Sequence, residues 1–240
     1  MMVNNEVGTI FPIKKLAKIA HARGVLFHTD AVQAAGKIPI NVEDLDVDLL
    51  SLSGHKFHAP KGVGALFVKK GVELEPLVHG GKQEYGIRAG TENVASIVGM
   101  GRASELALDS LRRMDEVREL RDELQEKITS LLPDARLNGP SEPRIPNTIN
   151  MTLPNLRGES MVIALDQKGV ALSSGSACKS GSPEPSHALM AMGMSEEDAH
   201  CTVRFSLSRY TTGKEIAHTA VALEEVLEEM EAAVRFLPCK

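Results

Sequence analysis

The stretch Asp48-Leu49-Leu50-Ser51-Leu52-Ser53-Gly54-His55-Lys56 decides how the first part of this chain is interpreted. Its apolar first half is typical of a buried strand, and the lysine follows that strand after a short polar turn. A second apolar run, Val25-Leu26-Phe27, ends similarly in His28-Thr29-Asp30. Because ligands of open α/β sheets collect at the carboxyl ends of parallel strands, the two runs predict a site that contains Asp30 and Lys56.

The side chains at these two strand ends suit a carbonyl cofactor such as pyridoxal phosphate. Such a cofactor needs an amine that forms a Schiff base, a carboxylate under its ring nitrogen and small polar groups around its phosphate. The amine could come from Lys56 and the carboxylate from Asp30, and the phosphate could be bound by Ser53 and His55. Each residue also has an ordinary interpretation as a solvated lysine, an aspartate that caps a turn or a serine-glycine turn. Only their combination favours a cofactor site.

The overall composition is that of a globular protein. The chain has 240 residues, of which 42% are hydrophobic, and a net charge of -5. This charge provides no basic surface for nucleic acid, and no apolar run approaches the roughly 20 residues of a membrane span. The segment after Met1 also lacks the basic and apolar regions of a signal peptide. We therefore expect a cytoplasmic protein that binds neither nucleic acid nor membranes.

Hydrophobic periodicity predicts an α/β first part and a smaller α+β second part. The predicted elements are a helix from Ile13 to about Arg23, strands at 25–29, 48–53 and 63–68, a long helix at 93–132 broken near Asp109-Ser110, strands at 148–152, 170–173 and 202–207, and helices at 159–168 and 213–236. We place a partial cofactor-binding domain at 1–112 and a C-terminal small domain at 113–240.

One cysteine is a candidate nucleophile. Cys178 lies among small and polar residues, where a thiol can be exposed and reactive, although an inert thiol in an ordinary loop is the alternative. Cys201 is interpreted as a buried apolar residue and Cys239 as an incidental tail residue. Three widely spaced cysteines argue against a disulfide framework and a four-ligand zinc site.

Two arginines and two glycine-rich turns are weaker candidates. Arg204 and Arg209 are either surface charges or groups that grip a carboxylate with two hydrogen bonds. Gly80-Gly81-Lys82 and Arg88-Ala89-Gly90-Thr91 could each cradle a phosphate through main-chain N–H groups. His55 and His58 lack further metal ligands at suitable spacing, so no resident metal is expected.

Six segments, taken together and in this order, resemble the cysteine desulfurase family. They are Val3-Asn4-Asn5-Glu6-Val7-Gly8, His28-Thr29-Asp30-Ala31-Val32-Gln33, Ser53-Gly54-His55-Lys56, Arg88-Ala89-Gly90-Thr91-Glu92-Asn93, Ser174-Gly175-Ser176-Ala177-Cys178 and Arg204-Phe205-Ser206-Leu207. The resemblance extends from Met1 to about Phe236. It implies the type I fold of pyridoxal 5'-phosphate enzymes, which is aspartate-aminotransferase-like, with an incomplete large domain that has a parallel-type sheet and a C-terminal α+β small domain.

The resemblance also implies a reaction, in which sulfur moves from L-cysteine to a protein cysteine and L-alanine is released. The implied roles are Lys56 as the Schiff-base lysine, Asp30 as the partner of the pyridinium nitrogen, Gln33 as donor to the phenolic oxygen, Ser53 and His55 as phosphate ligands, Thr91 as ligand of the neighbouring subunit's phosphate, Asn5 beside cofactor and substrate, Arg204 as carboxylate clamp and Cys178 as sulfur acceptor. The role of Thr91 implies a homodimer. No intrinsic metal is implied, although Cys178 could be a transient iron-sulfur ligand.

The partner implied by the segment around Cys178 is an iron-sulfur scaffold or another sulfur acceptor protein. Family members have a long segment before the position of Met1, so the resemblance implies a truncated chain that is active only when the missing part is supplied. Two alternatives stay open at this point. One is selenocysteine lyase, and the other is a non-catalytic fragment that only binds a partner.

Overall fold

The strands that end at the candidate residues lie in one small sheet. The computed structural model describes residues 1–175 and 184–235, and their contacts divide the chain into two units. The first unit contains Met1–Val3 and Ile10–Arg112, and the second contains Asn4–Thr9 and the described residues from Arg113 onward. The segment Asn4–Thr9 thus packs with the second unit while its flanks pack with the first, which the sequence did not indicate.

The first unit is built on a three-stranded sheet. Its elements are α1 (Ile13–His21), β1 (His28–Asp30), α2 (Val42–Leu45), β2 (Leu49–Ser53), β3 (Gly64–Val68) and α3 (Val94–Arg112), with 3-10 turns at Gly54–Phe57 and Glu84–Gly86. β1 and β2 are parallel, as predicted, and place the register pair Asp30 and Ser51 side by side. β3 pairs antiparallel to β2, so the expectation of a parallel-type sheet is wrong for this strand.

The prediction of buried strands is also only partly correct. Val25 and Leu26 are 56% and 57% exposed and precede the strand, which begins at His28. The first three residues of β3 are exposed, whereas Leu50 of β2 is 2% exposed. Among the described residues of this sheet, few are buried as deeply as Leu50.

The second unit contains a four-stranded sheet in the order β4-β5-β7-β6, in which every pair is antiparallel. Its elements are α4 (Met114–Leu131), β4 (Arg136–Leu137), β5 (Thr148–Thr152), α5 (Gly158–Gln167), β6 (Ser173–Ser174), α6 (His187–Ala191), α7 (Glu196–His200), β7 (Thr202–Ser206) and α8 (Gly213–Arg235). Alternation in β5 sends Ile149 and Met151 into an apolar core with α4, α5 and α8, and Asn150 to the other face. Every residue of β5 is buried, so both faces of this strand are covered.

Two boundaries in the second half differ from the predictions. The helix break lies at Arg113, not near Asp109-Ser110, and within the continuous helix the Ser110 hydroxyl donates to the Leu106 carbonyl. The strand predicted at 170–173 starts only at Ser173, because Val170 donates its N–H to the Leu165 carbonyl at the end of α5.

Candidate active site

Lys56 lies in the 3-10 turn that directly follows β2. Gly54 starts this turn and packs so closely that an added Cβ would lie 3.0 Å from the Val63 carbonyl oxygen. Phe57 is 6% exposed and packs with Met100 and Ala103 of α3, whereas Lys56 is exposed. A glycine and a buried aromatic residue on either side thus hold the lysine amine outward at the carboxyl end of the strand.

Asp30 is the last residue of β1, at the same edge of the sheet because β1 and β2 are parallel. Its Oδ1 accepts a hydrogen bond of 2.8 Å from the Val32 N–H, which orients the carboxylate. The Ala31 N–H donates to the Ser51 carbonyl oxygen at 3.0 Å and continues the parallel pairing past the strand end. The structure therefore brings Asp30 and Lys56 to one edge of the sheet.

Two serine–histidine pairs lie beside these residues. Ser53 Oγ and His55 Nδ1 are 2.9 Å apart, and His28 Nε2 and Ser51 Oγ are 2.7 Å apart. The first pair contains the two predicted phosphate ligands. The second was not predicted as a pair. His28 is opposite Leu49, and alternation along β2 places Ser51 two residues further on the same face of the sheet.

The remaining candidates of the first unit are less constrained. Gln33 is partly buried, and its Oε1 accepts a hydrogen bond from Lys37 Nζ at 3.1 Å. Thr91 is exposed in the segment before α3. A cavity of about 540 Å³ lies against the glycine-rich turn of Gly80 and Gly81, where Lys82 is the cationic side chain of the lining.

Asn5 and Arg204 meet in the second unit. Arg204 belongs to β7, where its cross-strand neighbours are Asn150 and Ser173. Its Nη1 donates to the Asn5 carbonyl oxygen at 2.8 Å, and its Nη2 donates to Ser173 Oγ at 3.4 Å. A contact between residues 199 positions apart is invisible to any local pattern, although Asn150, Arg204 and Ser173 are polar residues in strands with apolar neighbours.

The remaining predicted residues are Arg209 and the three cysteines. Arg209 lies with its guanidinium carbon 4.7 Å from the centre of the Tyr210 ring, in a cation–π contact. Cys201 is 5% exposed, and its assignment as a buried residue is confirmed. Cys178 and Cys239 lie outside the described residues.

The clearest electrostatic coupling of the first unit lies at the amino end of β2, away from the candidate residues. His21 Nε2 lies 2.7 Å from Asp48 Oδ2, and this hydrogen bond raises the pKa of His21. Burial would raise the pKa of Asp48, but hydrogen bonds from the Phe27 N–H and from His21 bring it below its usual value. This pair joins the end of α1 to the start of β2, so its role is structural.

The donor set at the carboxyl edge fits a pyridoxal phosphate cofactor. The oriented carboxylate lies at the end of β1, and the exposed amine lies with the serine–histidine pair at the end of the paired strand β2. An amine can bind the aldehyde carbon, a carboxylate can face the ring nitrogen, and hydroxyl and imidazole groups can bind phosphate oxygens.

Comparisons with known proteins agree with this chemistry. A model of the class-V aminotransferase family matches residues 1–218. A cysteine desulfurase from Klebsiella pneumoniae is 48% identical over 232 residues, which cover 97% of this chain and 58% of the relative.

Two solved structures are similar in fold. A NifS-like protein from Rickettsia africae has a TM-score of 0.87 and 34% identity, covering 95% of this chain and 60% of its own. SspA in complex with cysteine has a TM-score of 0.67 and 36% identity, covering 88% of this chain and 58% of its own. The chain therefore spans about three-fifths of the length of these relatives.

Proposed function

Since the chain belongs to the class-V aminotransferase family, we propose that it is the lysine-bearing portion of a pyridoxal-phosphate-dependent cysteine desulfurase. The observation that carries this proposal is the position of Asp30 and Lys56 at the carboxyl ends of two paired parallel strands. Because the chain spans about three-fifths of its relatives, the activity is proposed for the protein in which the remaining part of the fold is present.

The residues of the first unit would hold the cofactor. Lys56 Nζ would bind its aldehyde carbon and, once released, could carry a proton, while the Asp30 carboxylate would keep the ring nitrogen protonated. When bound, pyridoxal phosphate supplies an electron sink for the substrate carbon next to the amino group. The proposed further ligands are Ser53 and His55 for the phosphate, Gln33 for the phenolic oxygen and Thr91 for the phosphate of a second subunit in a homodimer.

The residues of the second unit would bind and process L-cysteine. Arg204 and Asn5 would bind its carboxylate, for which a guanidinium provides two parallel donors. The Cys178 thiolate would then attack the substrate sulfur. An S–S bond forms as the substrate C–S bond breaks, and a proton replaces sulfur on that carbon to give L-alanine and a cysteine persulfide. This transfer needs a thiolate, because a hydroxyl is a poor nucleophile towards sulfur.

The proposed partners follow from this product. A persulfide must pass its sulfur to an acceptor thiol, so the partner is an iron-sulfur scaffold or another sulfur acceptor protein, and a cytoplasmic location is proposed with it. SspA was solved with cysteine bound, and the Klebsiella relative is called a cysteine desulfurase. These names favour cysteine as the substrate, and no observation on this chain favours selenocysteine.

A cofactor spectrum tests the proposal directly. The purified chain mixed with pyridoxal phosphate should develop the visible absorbance of a lysine-bound cofactor, and Lys56→Ala should lose it. Lys61→Ala is the matched control, because Lys61 is also an exposed lysine and follows the same turn. A Lys56→Ala spectrum identical to that of the unmodified chain would show that Lys56 does not anchor the cofactor.

Alanine formation tests the reaction itself. With the remaining part of the fold supplied, L-cysteine should yield alanine, and Cys178→Ser should abolish transfer of its sulfur. Alanine at the level of a blank in every mixture would favour the non-catalytic alternative. Release of selenium from selenocysteine by Cys178→Ser, with cysteine unused by either form, would favour the lyase.

A further inference from the structure

Glu6 is a buried carboxylate that the proposed reaction does not use. Its side chain is 6% exposed and accepts a hydrogen bond from the hydroxyl of Ser186, which is 2% exposed and 180 residues away in the sequence. Among residues 1–175 and 184–235, no lysine, arginine or histidine forms a salt bridge with Glu6. Burying a carboxylate without a cation opposes folding, so stability alone does not account for this residue.

The main chain around Glu6 is held at several points. Asn4 Oδ1 accepts hydrogen bonds of 2.9 Å from the N–H groups of both Glu6 and Val7. The Val7 side chain is 2% exposed and packs with Leu189 of α6. Because Ser186 also caps α6 through the Leu189 N–H at 3.2 Å, it ties the start of that helix to the Glu6 carboxylate.

Asn5, the residue next to Glu6, bears the carbonyl that accepts from Arg204 Nη1 at 2.8 Å. One peptide unit therefore separates the Glu6 side chain from the group that orients the guanidinium of Arg204. A change in the position of Glu6 moves this carbonyl, and the guanidinium must follow or lose the hydrogen bond.

We propose that Glu6, fixed by Ser186, is a positioning residue that holds Asn5 and Arg204 in the arrangement that receives the substrate carboxylate. This inference rests on the proposed function for its substrate. The physical contact that it invokes lies within the second unit and does not need the cofactor. Glu6 itself touches neither substrate nor cofactor in this proposal.

The first test uses nuclear magnetic resonance on the cofactor-free 240-residue chain. The Arg204 Nη1–H signal, assigned with Arg204→Lys, should exchange with solvent about tenfold faster in Glu6→Ala, because this N–H makes the hydrogen bond to Asn5 and the loss of a hydrogen bond to a charged group is worth about one decade. Glu6→Gln keeps an acceptor for Ser186 and should stay within about twofold of the unmodified chain. Where Glu6→Ala does not fold, Ser186→Ala removes the same contact from the other side.

Ser195→Ala is the matched control. Ser195 caps α7 through the Asp198 N–H at 3.1 Å, as Ser186 caps α6, but among the described residues it makes no hydrogen bond to Glu6. It should lower stability and leave the Arg204 signal unchanged. An unchanged signal in both Glu6→Ala and Ser186→Ala, or an equal change in Ser195→Ala or Glu6→Gln, overturns the proposal.

The second test separates this inference from the proposed function. In the active protein, Glu6→Ala should raise KM for L-cysteine about tenfold with kcat changed less than about threefold, because carboxylate binding is weakened and the chemical step is not. If the KM of Glu6→Ala rises no more than that of Ser195→Ala, the positioning proposal is wrong. The proposed desulfurase activity is unaffected by that result. If Glu6→Ala speeds exchange at Arg204 but the complete protein never forms alanine, the positioning contact is supported and the proposed function is wrong.

Discussion

β3 and β5 have the same length and both pair antiparallel, yet their surroundings differ. All residues of β5 are buried, whereas β3 exposes its first three residues, including Leu66 at 47%. β5 belongs to the unit with the large apolar core, and β3 belongs to the unit that carries the lysine, where the described apolar cluster around Phe57 is small. The groups proposed to hold the cofactor thus stand on the less covered sheet, and Arg204 stands on the more covered one. Lys56 is therefore placed by the Gly54–Phe57 turn and the small cluster around Phe57, without a large apolar core beneath it.

The largest expected difference concerns matched leucines. Leu165→Ala, at a fully buried position of the second unit, should lower the free energy of unfolding by about 3 kcal/mol, through lost burial and a residual cavity. Leu66→Ala makes the same deletion at a half-exposed position of β3 and should cost below about 1 kcal/mol. Urea unfolding, followed separately in each unit by hydrogen exchange, measures both. Equal losses would mean that Leu66 in β3 is as well packed as Leu165 in α5.

A pair of glycines should respond with opposite signs. An alanine Cβ at Gly158 would lie 2.2 Å from the Thr202 carbonyl oxygen, so Gly158→Ala should lower the free energy of unfolding by about 2 kcal/mol. Gly101 lies within α3, where an added Cβ has no atom within 4 Å apart from the adjacent backbone of its own helix, and Gly101→Ala should raise the free energy of unfolding by about 0.5–1 kcal/mol, because alanine favours helix. Thermal unfolding checks both. A stabilised Gly158→Ala variant would contradict the tight packing of α5 on β7.

The smallest effect should appear in the pH dependence of the first unit. The pKa of His21 is raised by its hydrogen bond to Asp48, so its stabilisation is present below the ordinary histidine pKa of about 6.5 and is lost as pH rises through the raised value. The pKa of Asp48 is lowered, so its contribution is lost as pH falls below the ordinary value of about 3.9. We expect the contribution of this pair to be greatest between these two values.

The Phe27 amide reports this effect, since it donates to Asp48 Oδ2 at 2.8 Å. Its hydrogen-exchange protection factor should fall as pH rises above about 6.5 in the unmodified chain and vary less in His21→Gln. His200→Gln, in the second unit, should retain the full slope. A slope that survives in His21→Gln would assign the pH dependence to another group.

Much of the architecture was predictable because it depends on short-range periodicity. The spacing of apolar residues predicted α1, α5 and α8 to within about two residues, and predicted β2 and β5 closely. Two of the errors occurred where a segment distant in the sequence decides the outcome. Val25 and Leu26 are apolar enough for a strand but are left outside it, and the direction of β3 depends on how its connection returns to β2.

The candidate site likewise has parts that the sequence predicted and parts that only the tertiary structure decided. The order of Ser53, Gly54, His55 and Lys56 determined from the sequence alone that a lysine would follow a strand end, because turns and strand ends are set by adjacent residues. Family membership was likewise readable from short motifs and is confirmed by the match over residues 1–218. Only the tertiary structure decided that Arg204 donates to the carbonyl of Asn5 and that Ser186 donates to Glu6. Such contacts join residues nearly 200 positions apart, and they arise from packing between segments whose local patterns carry no information about each other.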